Sequence, residues 1–220
     1  MLIGVGIIWI VWGIGIPMVK YKKYIGELPV SDFYNLNKLT DCSWVNLYEV
    51  IYKRKTDNER TWLMCSRKNS PIANASKPDA VIIIATINSD GKKKLVITKE
   101  FRIPIWDYEY GFPAGLIDDG EDIEDTVKRE MKEETGLDVV SIDHVSMPVY
   151  SSAGLTDESC HMVMVEAKGE VSNKWMDDNE DIEVLLLDAT QIKELLCSNK
   201  KIAAKAWGIL YHYAKIGKIG

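Results

Sequence analysis

Between Asp122 and Gly136 the chain reads DIEDTVKREMKEETG, and no other stretch restricts the fold as tightly. Asp122 can cap a helix start, and Gly136 can supply the left-handed residue that ends one. At about 100° per residue, Ile123 and Val127 define an apolar stripe with Met131 at its edge. A helix packed on a sheet should keep that stripe apolar. Instead Glu130 and Glu134 occupy it, with Glu133 one step to the side. Like charges at these spacings cost a few tenths of a kcal/mol (about 0.2–0.5) even on a solvated surface, and more when buried. The pattern allows two readings: a solvated acidic face, or carboxylates gathered to hold a hard divalent cation. Their position on the packing face favours the cation.

Strand-like runs surround this helix. Trp44–Lys53 and Arg60–Arg67 flank the polar turn Thr56-Asp57-Asn58, a hairpin signal. Ala80–Ile87 is a continuous apolar run rich in β-branched residues. Asn88-Ser89-Asp90-Gly91 then turns the chain into Leu95–Phe101. Residues 20–43 are mixed and polar, as in a linker or extended arm, and a loop with Pro104 and Pro113 precedes the helix. Further strand-like runs occur at Val139–Tyr150, Cys160–Ala167 and Ile182–Leu187, and helical stretches at Ala189–Cys197 and Lys200–Ala214. The expected fold is α+β, an α/β/α sandwich with a mixed β-sheet and an N-terminal β-hairpin arm.

Residues 1–19 form a third region, uncharged and apolar. As a helix they would span about 28 Å, near bilayer thickness, and Lys20, Lys22 and Lys23 would hold the rest of the chain in the cytoplasm. Three readings stay open: a membrane anchor, a start at Met18, or a buried strand. The expected organisation is residues 1–19, an arm over 20–67, and a catalytic domain over 68–220, cytoplasmic and membrane-tethered if the first segment is an anchor.

A formal net charge of −6 disfavours a general nucleic-acid binder. Cys42, Cys65, Cys160 and Cys197 lack zinc or disulfide spacing, and His144, His161 and His212 lack ligand spacing.

The residues Gly115–Leu137, GLIDDGEDIEDTVKREMKEETGL, match the Nudix box G-x5-E-x7-R-E-U-x-E-E-x-G-U at every fixed position. Those positions are Gly115, Glu121, Arg129, Glu130, Glu133, Glu134 and Gly136, with Met131 and Leu137 as the aliphatic sites U. The chain therefore resembles the Nudix hydrolase family. Glu100–Asp118 resembles the segment before the box in its ADP-ribose pyrophosphatase branch, and similarity runs from about Trp44 to Trp207.

The resemblance implies Mg²⁺, with Mn²⁺ as a substitute, held by Glu130 and Glu134, with Glu133 also in the metal shell and the Ala114 carbonyl as a further ligand. It implies that Arg129 orients the glutamates through an ion pair. Glu121 and Gly115 would shape the loop before the helix. The segment NEDIEV resembles a late acidic loop that supplies the general base, pointing to Glu180, with Asp181 and Glu183 as stand-ins and an exposed acidic loop as the plain alternative. Trp62 and Arg67 resemble residues that contact the adenine and terminal ribose in related dimers, though Trp62 reads equally as core packing. Arg102 resembles a phosphate-facing arginine, with a surface salt bridge as its alternative. Gly154 sits in a substrate-binding loop in which the branch usually has a proline before the glycine; here Ala153 stands there.

The implied reaction is hydrolysis of a nucleoside-diphosphate sugar, ADP-ribose first, giving AMP and ribose 5-phosphate in a homodimer. The alternatives are another nucleotide sugar such as GDP-mannose, a non-catalytic ADP-ribose sensor, or a membrane-tethered scaffold.

Overall fold

A computed structural model describes residues 30–54, 58–71, 77–176 and 181–219. The apolar segment 1–19 and its lysines lie outside the described residues, as does Glu180. Strands β1 (Val30–Lys38), β2 (Asn46–Arg54) and β3 (Glu59–Ser66) precede β4 (Ala80–Ser89), β5 (Lys92–Arg102), β6 (Asp107–Gly111) and β7 (Ala114–Leu116). Then come α1 (Ile123–Thr135), β8 (Asp138–Val145), β9 (Val149–Tyr150), β10 (Ser159–Lys168) and β11 (Ile182–Leu187). Helix α2 (Ala189–Leu196), strand β12 (Lys201–Ile202) and helix α3 (Ala204–Ile216) complete the order.

The apolar run in β4 has no polar face because both of its faces are covered. Val81, Ile83, Ala85 and Ile87 pack with Val127 and Met131 of α1. Ile82 and Ile84 pack with Ile192 and Leu195 of α2 and with Leu210 and Tyr213 of α3. Alternation along one strand thus serves two helical layers, and the fold is the expected α/β/α sandwich. The sheet is mixed: β10 runs parallel to β4 and antiparallel to β8. Asp90 and Gly91, at φ 54° and 71°, form the tight turn between β4 and β5, where Ser89 pairs with Lys92.

Strand β5 changes partners along its length. Lys92–Leu95 pair with β4, whereas Thr98–Arg102 pair with β6, and β11 covers the opposite edge. Strands β4 and β6 therefore share one edge of β5 and diverge past Leu95, which opens a cleft between them. Strand β7 closes part of it by pairing with the start of β4.

Three local expectations need correction. The N-terminal arm is a three-stranded sheet rather than a hairpin, because β1, within the stretch read as a linker or extended arm, pairs antiparallel with β2. The loop around Pro104 and Pro113 contains β6 and β7, strands too short to show alternation. Val139–Tyr150 divides into β8 and β9. Among the described residues, no helix is long and apolar enough to cross a membrane.

Candidate active site

Helix α1 starts where predicted, with the Asp122 carboxylate accepting from the Asp125 amide, and ends on Gly136 at φ 76°. Its buried residues are Thr126, Val127, Glu130, Met131, Glu134 and Thr135, so two glutamates do occupy the packing face. Glu130 and Glu134 are only 8% and 5% exposed.

What keeps them there is specific. Arg129 grips Glu121 with two bonds, Nε to Oε1 at 2.9 Å and Nη2 to Oε2 at 2.8 Å. Its Nη1 donates to Glu130 Oε1 at 2.6 Å and to Glu133 Oε2 at 3.1 Å, and its Nη2 also donates to the Leu116 carbonyl at 3.0 Å. Glu134 Oε2 accepts from the Ala114 amide at 3.2 Å. Gly115 admits the Glu130 carboxylate against its backbone: a Cβ there would lie 1.8 Å from Glu130 Oε1. The guanidinium thus contacts three carboxylates, those of Glu121, Glu130 and Glu133, while β7 lies against Glu130 and Glu134.

Arg129 also holds the Glu121 carboxyl well below its ordinary 4.5, at about 2, helped by the Thr126 hydroxyl and the Asp118 amide against the opposing effect of partial burial. The Arg129 guanidinium is pushed upward, chiefly by its bonds to Glu121. A carboxyl whose folded value is depressed stabilises the fold above its unfolded value, and that stability is lost as pH falls toward the folded one. Thermal unfolding should therefore show Tm falling between pH 4.5 and about 2, and Glu121→Gln should flatten that fall. An identical acid profile in the variant would remove Glu121 as its source.

Beside the Arg129 guanidinium, this end of α1 gathers the carboxylates of Glu130, Glu133 and Glu134, and carboxylate oxygen is the ligand a hard cation such as Mg²⁺ prefers. Among the described residues, no three carboxylate, imidazole or thiolate groups converge closely enough to hold a metal as they stand. Glu130 and Glu133 are turned toward Arg129.

The cleft between β4 and β6 holds a cavity of about 270 Å³, floored by Ile82, Ala114 and Gly115. Arg67 and Arg102 line it. Arg102 Nη1 lies 2.7 Å from Glu100, and Arg67 Nε lies 3.6 Å from Glu158. Trp62 is 49% exposed on β3, so it is not core packing, and it does not line this cavity. Gly154 lies in an exposed loop whose next residues, Leu155 and Thr156, meet Cys65 of β3. Of the stand-ins for Glu180, Asp181 accepts from the Tyr108 hydroxyl at 2.7 Å and Glu183 from Lys99 at 2.6 Å.

Sequence reasoning missed Glu158, Cys160 and Lys205, which share the wall beside Arg67. The acidic end of the loop SSAGLTDE was a usable signal for Glu158. Lys205 gave none, since nothing local marks a helical lysine as facing a cavity.

The NUDIX domain profile matches residues 76–207. A Nudix hydrolase of Schizosaccharomyces pombe without assigned function is 31% identical over 79% of this chain and 83% of its own length. The ADP-ribose pyrophosphatase of Saccharomyces cerevisiae is 32% identical over 71% of this chain and 69% of its own. A crystal structure described as an ADP compounds hydrolase superposes with a TM-score of 0.62 at 17% identity, covering 84% of this chain and 92% of that one, which shows a shared fold. With the box complete, its glutamates buried against β7 and the profile spanning more than half the sequence, this chain belongs to the Nudix family of hydrolases.

Proposed function

We propose that this chain is a Mg²⁺-dependent hydrolase, with Mn²⁺ as a substitute, that splits the diphosphate of a nucleoside-diphosphate sugar. ADP-ribose is the first substrate, giving AMP and ribose 5-phosphate. One observation carries the reading: Ala114 and Gly115 touch the buried Glu134 and Glu130 and also floor the arginine-lined cavity. A diphosphate in that cavity lies beside the carboxylates. The named yeast pyrophosphatase and the match of Glu100–Asp118 to its branch favour ADP-ribose.

Glu130 and Glu134, with Glu133 and the Ala114 carbonyl, would hold the cation, which when bound would neutralise phosphate charge and acidify water. The chain's own groups do the rest. Arg129 fixes the glutamates, and Arg102 and Arg67 offer planar donors suited to phosphate and sugar oxygens. Glu180 takes the proton of the attacking water; its neighbours Asp181 and Glu183 already accept from Tyr108 and Lys99. Trp62, half exposed outside its own cavity, stacks on the adenine in the cavity of a second copy, so the active unit is a homodimer.

The test is a panel of ADP-ribose, GDP-mannose, UDP-glucose and NADH, each with Mg²⁺, with Mn²⁺ and with chelator, read by phosphatase-coupled release. ADP-ribose is expected to show the highest kcat/KM, with turnover lost on chelation. Tight binding without turnover would instead identify a sensor. A higher rate on GDP-mannose would reassign the substrate. Sedimentation of the same preparation reports whether two copies associate.

A further inference from the structure

The cavity that Arg102 lines also carries, around Glu158, a charge network that the roles above leave unused. Lys205 Nζ donates to Ser151 Oγ at 2.7 Å and lies 3.8 Å from Glu158 Oε1 and 3.8 Å from Cys160 Sγ. Ser151 Oγ in turn donates to Glu158 Oε1 at 2.5 Å, and the Ser151 amide donates to the Glu158 carbonyl at 3.0 Å. Arg67 approaches the other carboxylate oxygen at 3.6 Å. Three separate elements thus meet at one carboxylate that faces the cavity: the end of β3, the 151–158 loop and the first turn of α3.

The position of Lys205 is not explained by its helix. Helix α3 has no side-chain cap and no acidic residue in its first turn, and a cation at a helix N-terminus opposes the helix dipole. An offsetting partner is needed, and Glu158 is in place.

We propose that Lys205 is a positioning residue for this cavity: with Arg67 and Ser151 it clamps Glu158 as a fixed acceptor for the hydroxyls of the substrate's sugar. This rests on the nucleotide-sugar reading for the identity of the ligand. An ionised carboxylate offers about four lone-pair sites, and Ser151, Lys205 and Arg67 leave acceptor capacity toward the cavity. A neutral sugar supplies hydroxyl donors, and hydrogen bonds to an ionised acceptor are the strong ones. Burial pushes the Glu158 carboxyl up, but the Ser151 hydroxyl, Lys205 and Arg67 outweigh it and hold it below its ordinary value. Other charged or titratable groups among the described residues here include the Cys160 thiol, raised by burial, the neighbouring cluster of Lys68, Asp79 and Asp157, and Glu100, Arg102 and Glu109 along the same cavity.

Lys205→Met and Lys205→Arg in the full chain separate charge from packing. The Glu158 titration is followed by carboxyl ¹³C NMR, its signal assigned by difference against Glu158→Gln. In Lys205→Met the Glu158 midpoint is expected to rise by about one pH unit. KM for the preferred nucleotide sugar should rise about tenfold, with the larger share of the loss on KM rather than kcat. The acid limb of kcat/KM should move to higher pH, and Lys205→Arg should restore most of each effect. Should Lys205→Met fail to fold, Ser151→Ala reads the same midpoint, again upward, with α3 intact. An unmoved Glu158 midpoint overturns the clamp, as does an equal KM rise in the Arg and Met variants. If the wild-type protein turns over no nucleotide sugar, the functional reading and the acceptor role fall together, while the titration still decides the clamp.

Discussion

Glu134→Gln is expected to lower kcat by about 10²–10⁴-fold while leaving the fold intact, because the change removes a charge and little else. The glutamine oxygen can still accept the Ala114 amide that Glu134 Oε2 accepts now at 3.2 Å. The side chain is almost fully buried, and an amide costs less to desolvate than a carboxylate, so Tm should hold or rise slightly. What disappears is the anionic oxygen that a hard cation requires. Turnover of ADP-ribose across a Mg²⁺ titration, with Tm on the same samples, measures both sides. A kcat within tenfold of wild type at saturating Mg²⁺ would remove Glu134 from the metal site.

Arg129→Ala should act on both stability and activity. Its guanidinium makes two bonds to Glu121, one each to Glu130 and Glu133, and one to the Leu116 carbonyl. Deleting it takes the guanidinium away from Glu121 and Glu130, both largely buried. Removing one partner of a buried pair costs about 3–5 kcal/mol, and the lower end applies because the Arg129 side chain is itself 29% exposed. For a chain of this size about 3 kcal/mol corresponds to a Tm lower by roughly 6–12 °C. The carboxylates also lose their orientation, so activity below the new Tm should fall about 10–100-fold, the usual consequence of losing a partner that orients metal ligands. Differential scanning calorimetry and kinetics at low temperature read the two effects separately. An unchanged Tm would show that the carboxylates tolerate isolation, and the ordering role assigned to Arg129 would then fail.

The contrast between α1 and the cavity wall shows what a linear sequence can carry. Glu130 and Glu134 are legible because one helix's periodicity decides whether a residue packs, and that rule needs no neighbouring element. The turn at Asp90-Gly91 and both ends of α1 are legible for the same reason: each is settled within a few residues by main-chain geometry. Strands β6 and β7 are too short to alternate visibly, and β1 lies in a stretch of mixed, polar sequence, so pairing rather than pattern defines them. The Glu158 wall brings together Arg67, Ser151 and Lys205, residues up to 138 positions apart (205 − 67) in three elements. No local rule connects them. Arg67 and Arg102 were reached only through the resemblance to the family, and that Trp62 is half exposed rather than core needed the structure.

The parallel pairing of β4 with β10 has a consequence for how the enzyme comes into being. Cys160 sits opposite Ala80, so that ladder closes across about 80 positions, and the helix bearing the glutamates lies inside the loop being closed. Long-range closures of this kind are slow to form, and chains of this length commonly pass through partly assembled states. On a ribosome, β4 must wait with a sticky edge until β10 has emerged. Catalytic competence is therefore a late event in maturation, and truncations before Lys168 should yield insoluble chains rather than weak enzymes.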